Sequence, residues 1–155
     1  MASCLENLPP CIWFEGGDKR NALSSMLAGF LFFSGWWFMI DANAKYPSSI
    51  DGLYHVWGIV GTISLFMINM VSNAQVRGDA YSGGCVGPRG ARVWLFIGFV
   101  LGFVPIIAAC WILMKDFVSS SGKPFWAGSG LFLQNVFIFG GSLVYKFGRT
   151  EDQWG

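Results

Sequence analysis

Charge is missing from most of this sequence. Ten basic and nine acidic residues make up 12% of its 155 positions, where soluble domains carry roughly 25%. None falls within Ala22–Ile40, Gly52–Val76, Val93–Met114 or Pro124–Tyr145. A helix half-buried in a soluble protein interleaves charges on its wet face, so these runs exclude a soluble bundle. Histidine occurs once, at His55, which excludes a multi-histidine metal centre. The four cysteines (Cys4, Cys11, Cys85 and Cys110) form no CxxC pair or other zinc spacing, and their scatter argues against a disulfide framework. A net charge of +1 supplies no field for nucleic acid. Asn-x-Ser/Thr does not occur, so no glycosylation acceptor marks a luminal side.

The sequence is instead 54% hydrophobic and 17% aromatic. Each charge-free run has 19 to 25 residues, and about 20 cross a bilayer core as a helix. The pattern predicts an all-α membrane protein with four transmembrane helices at about 22–40, 53–76, 93–114 and 124–145. They form one domain over 22–145, after an N-terminal segment 1–21 and before a tail 146–155. Trp36, Trp37, Tyr54, Trp57, Trp94, Trp111, Trp126 and Tyr145 stand where interfacial aromatic belts belong. Ala42-Asn43-Ala44 resembles a signal-cleavage box. The run before it exceeds a signal h-region of about 7–15 residues, so the first helix is expected to stay. Cys4 and Cys11 beside an apolar segment are either palmitoylation sites or unmodified thiols. Lys19, Arg20, Arg77, Arg89, Arg92, Lys146 and Arg149 fall on one side, against Lys45, Lys115 and Lys123 on the other. The positive-inside rule then places both termini and the central loop in the cytosol.

Polar residues inside the runs keep to helix faces. His55, Thr62 and Asn69 recur every seven residues with Ser72 and Asn73 at nearby angles, and Gly128, Asn135 and Ser142 do the same with Gln134 alongside. Facing lipid, such groups would lack partners, so they face another helix, a partner or water. Two readings stand: a seam for a partner subunit or permeation path, and hydrogen bonding within the bundle, worth about 0.6 kcal/mol per contact. The candidate contacts are Thr62, Asn69, Ser72, Asn73, Gln134 and Asn135, with Gly98 and Gly102 of a GxxxG pair that permits close helix approach. Leu65–Asn69 resembles Leu131–Asn135, which suggests two helix-pair halves with a mid-membrane Asn in each. Pro105 is expected to bend the third helix. His55, near an interface, reads as a solvated or capping residue.

The stretch 77–92 holds five glycines, one proline and three arginines. Arg77, Asp79, Arg89 and Arg92 are candidate cytosolic contacts for a lipid headgroup or an acidic partner segment; the alternative is a turn carrying positive-inside charges. Arg77-Gly78-Asp79 spells an adhesion tripeptide, but the expected topology keeps it in the cytosol. Hydrolysis in the membrane would need a carboxylate pair, a Ser–His arrangement or a metal cluster. The runs contain none, so neither an enzyme nor a cofactor is expected. Coupled transport usually needs an ionisable residue near the midplane. A lipid groove between helices does not, and lipid handling stays open as the second function.

Three stretches carry a family resemblance. Phe33-Ser34-Gly35-Trp36-Trp37 with Ile40-Asp41-Ala42 and Tyr46-Pro47 is one. Asn69 through Asp79 with Gly90-Ala91-Arg92-Val93-Trp94-Leu95-Phe96 is another, and Gln134–Phe139 with Lys146–Asp152 the third. Together they resemble the transmembrane protein 50 family, relatives of fungal vacuolar protein sorting protein 68, over nearly the whole chain. The resemblance implies a four-helix protein of endosomal, Golgi or endoplasmic reticulum membranes without catalytic residues. It also implies a second small membrane protein as partner, of the vacuolar protein sorting 55 or leptin-receptor-overlapping-transcript type. The implied role is traffic from late endosome to vacuole or lysosome.

Overall fold

The computed structural model describes residues 16–78, 87–119 and 122–149. Among the described residues all regular structure is helical: α1 Gly16–Lys45, α2 Tyr54–Met70, α3 Asn73–Arg77, α4 Pro88–Ile112 with a π turn Leu113–Val118, and α5 Phe125–Gly148. Three of these helices, counting α4 with its π turn, are long and apolar enough to cross a membrane. The fourth apolar helix, α2, has 17 residues, about 25 Å at 1.5 Å per residue.

α5 is the hub. Its one flank receives α1 and its other flank receives α2 and α4, which also pack on each other. The α1–α5 seam is close because small residues line it. A Cβ on Gly130 would sit 2.8 Å from Ala42 Cβ, and one on Gly141 would sit 3.0 Å from the Ala28 carbonyl oxygen. These contacts also fix direction, since Ser24 lies by Gly148 while Ala42 lies by Gly130. α1 therefore runs antiparallel to α5. On the other flank Gly58 meets Gln134 and Asn69 meets Ser142, so α2 runs parallel to α5.

The two ends of the bundle are closed differently. Where α1 starts and α5 finishes, basic side chains cap helix carbonyls: Arg20 Nε donates to Gly148 O at 2.9 Å, Arg92 Nε to Val76 O at 2.9 Å, and Lys146 Nζ to Val71 O. Cations at helix C-termini satisfy carbonyls that the helix leaves open and complement its dipole. At the opposite end the buried cluster Met39, Ala42, Ile50, Tyr54, Ala109 and Phe117 joins the helices. There Tyr54 Oη donates to Asp116 at 3.0 Å, and Trp126 Nε1 donates to Asp41 at 2.9 Å.

Four expectations change. α1 outruns residues 22–40 at both ends, continuing past Ile40 with an Asp41–Lys45 ion pair of 3.0 Å. It stops before Tyr46-Pro47, because a residue preceding proline disfavours the helical region. The second helix does not reach residue 76: Val71 is extended, and Ser72 caps α3 in a reciprocal box with Gln75. Ser-x-x-Gln is a helix-start signature, so apolarity across the break concealed a boundary. The third helix does not end at Met114 but continues through the π turn to Val118, which buries Phe117. Finally, Lys146–Gly148 belong to α5 and not to the tail, and Lys146 is buried at 4% exposure. Helical structure continues through the buried Pro105.

Candidate functional site

The polar residues predicted on helix faces meet along the α2–α5 seam. Gln134 and Asn135 occupy the buried side of α5, at 0% and 2% exposure. Glycines make room for them. A Cβ on Gly58 would lie 2.7 Å from Gln134 Cδ, and one on Gly61 would lie 3.4 Å from Asn135 Oδ1. Two helical turns further on, Asn69 Nδ2 donates to Ser142 Oγ at 3.1 Å. Past the end of α2, Lys146 reaches the Val71 carbonyl. The seam is thus a polar ladder, ending in a charge at the basic end of the bundle.

Its hydrogen bonding is incomplete. Asn69 and Asn135 each donate to the carbonyl four residues back, Leu65 O at 2.8 Å and Leu131 O at 2.9 Å. The two similar sequence stretches therefore share a local bond. They do not share a place in their helices, because Asn69 stands one residue before the end of α2 and Asn135 near the middle of α5. The Oδ1 atoms of both asparagines, and both amide atoms of Gln134, are buried without a hydrogen-bond partner. An unpaired buried polar group costs about 1–3 kcal/mol, so this seam is the expensive contact in the fold.

The remaining candidates separate. Thr62 Oγ1 donates to Gly58 O at 2.8 Å within its own helix. Ser72 caps α3, and Asn73 begins it. Gly98 and Gly102 face α2 and α5: their Cβ positions would lie 3.0 Å from Ile68 Cγ1 and 2.8 Å from Ser64 Oγ. Ser64 Oγ donates to Gly98 O at 2.7 Å across the α2–α4 contact, a bond the sequence pattern did not single out. Arg77 and Arg89 are exposed, while Arg92 is held to Val76. Asp79, Cys4 and Cys11 lie outside the described residues. His55 is half-buried in the first turn of α2. Among the described residues no group of His, Cys, Asp and Glu could hold a metal ion.

Long apolar helices with lipid-ready outer faces, closed around a polar seam, define a small all-helical integral membrane protein. The family described as "Uncharacterised protein family (UPF0220)" matches residues 4–154. A Transmembrane protein 50 homolog of Dictyostelium discoideum is 32% identical over 145 residues, covering 83% of this chain and 91% of that protein. The chain belongs to the transmembrane protein 50 family. No solved structure matches it.

Proposed function

We propose that the chain is a non-enzymatic subunit of a membrane complex that serves endosomal or secretory traffic, between late endosome and vacuole or lysosome. In this reading α2 also crosses the bilayer, giving four spans with both termini in the cytosol. The partner is a second small integral membrane protein, of the vacuolar protein sorting 55 or leptin-receptor-overlapping-transcript type. The observation that carries it is how little of the described chain lies outside the helices. Successive spans are joined only by 46–53, 71–87 and 119–124. A protein built this way acts mainly through neighbours in the membrane, by helix-to-helix contact and by the arginines beside α3. Gln134 and Asn135 face the chain's own helices, so the partner meets outward faces.

A second reading, lipid handling, draws on a groove of about 370 Å³ lined by Trp57, Val104, Ile107, Ala108, Trp111 and Ile112. One experiment separates the two: purification from native membranes in mild detergent, with mass spectrometry of co-migrating proteins and lipids. A stoichiometric second membrane protein is the expected result. A lone chain or homo-oligomer carrying a retained lipid overturns the subunit reading in favour of the second.

A further inference from the structure

We propose that the corner between α3 and the first turns of α4 binds the headgroup of an anionic phospholipid, whose acyl chain lies along the outer face of α4. The corner is assembled by two contacts. Arg92 Nε donates to Val76 O at 2.9 Å. Gly78, in the left-handed conformation at φ 87°, stands against Pro88, whose Cγ lies 3.4 Å from the Cβ position. Arg77 and Arg89 each adjoin one member of the Gly78–Pro88 contact in the chain, so both belong to this corner. Both side chains are exposed, and α4 has no acidic residue in its first turn. Guanidinium groups suit phosphate because their forked donors match its oxygens.

The face below the arginines says what kind of anion fits. Arg89, Val93, Phe96, Val100 and Phe103 are spaced four, seven, eleven and fourteen residues along α4, a single helix face, and all five are exposed. Positive charge thus sits directly above a continuous apolar stripe. A phospholipid complements both parts with one molecule. The break at Val71 contributes by ending α2 early and turning α3 out beside α4. The site needs no trafficking role and stands whichever leaflet it faces.

The test is native mass spectrometry of the full chain in mild detergent, titrated with phosphatidylserine or with phosphatidylcholine of the same acyl chains. The wild type is expected to retain phosphatidylserine preferentially. Arg77→Gln with Arg89→Gln should lose about thirtyfold in that preference, the effect of two basic residues near an anionic surface. Arg77→Lys with Arg89→Lys should keep most of it, and Lys115→Gln at the other end should change nothing. An unchanged melting temperature of the glutamine pair separates lost binding from lost folding. Equal retention of the two lipids, or full retention by a stably folded glutamine pair, overturns the proposal. So does displacement of the lipid by millimolar inorganic phosphate, which would make the site one for free phosphate.

Discussion

Gly58 is the seam glycine with least room, since an added Cβ would fall against the Gln134 amide. Gly58→Ala is expected to destabilise the chain by about 1–3 kcal/mol, as overpacking does, read as a lower Tm in detergent. Shortening the opposing side chain should relieve it, so Gly58→Ala with Gln134→Ala should lose less than the sum of the single changes. Gly29 is the control: nothing lies within 4 Å of its Cβ position, and alanine there should gain up to about 1 kcal/mol from helix propensity. The asparagines divide by partner. Both leucine substitutions remove an unpaired oxygen, but Asn69→Leu also removes the bond to Ser142 and should fare worse than Asn135→Leu by about 0.6 kcal/mol. Asn135→Leu removes an unpaired oxygen and should be neutral or stabilising; a clear loss of Tm would mean that the Asn135 oxygen has a partner this fold does not display. Sequence pattern was enough to single out both asparagines and Gln134, because amides stand out in charge-free runs. Ser64 and Lys146 escaped it. A serine in an apolar helix is ordinary, and a lysine at a helix end looks solvated until the next helix is known to stop beside it.

Helix termini carry the element-scale consequences. Ser72→Ala should cost about 1 kcal/mol of capping and fray α3, raising hydrogen exchange across Asn73–Arg77 while global Tm barely moves. If exchange there is unchanged, tertiary contacts such as the Arg92–Val76 bond hold α3 in place without the cap. At the other end, Tyr54→Phe removes the bond to Asp116 and should cost about 1 kcal/mol, with faster exchange confined to the π turn. The long apolar helices and their order were legible because charge-free length is a direct reading of bilayer thickness, whereas the short α3 was not. The boundaries were less so. The break at Val71 lies inside an uninterrupted charge-free run, and the only local sign of it is the Ser72–Gln75 pair. The π turn has no signature in composition: its charged Lys115 and Asp116 read as the start of a loop. What kept them helical is tertiary, the burial of Phe117 and the bond from Tyr54.

For the whole molecule, the proposed topology makes a simple prediction. A glycosylation cassette inserted between Ser48 and Ser49 should be modified in cells, and the same cassette fused after Gly155 should not; the reverse pattern would invert the orientation. The inner architecture has a further consequence for how the chain is made. Among the described residues α1 packs chiefly on α5, and α5 supplies one wall of the other main helix contacts except those of α4 with its neighbours α2 and α3 and with its own π turn. Synthesis delivers α5 last. Until α5 has emerged, α1 waits in the lipid with Ser24, Ala28 and Gly35 uncovered, and α2 waits with its glycine face open. A chain stopped before residue 125 would therefore be inserted yet unassembled, the state that membrane quality control is built to recognise and remove.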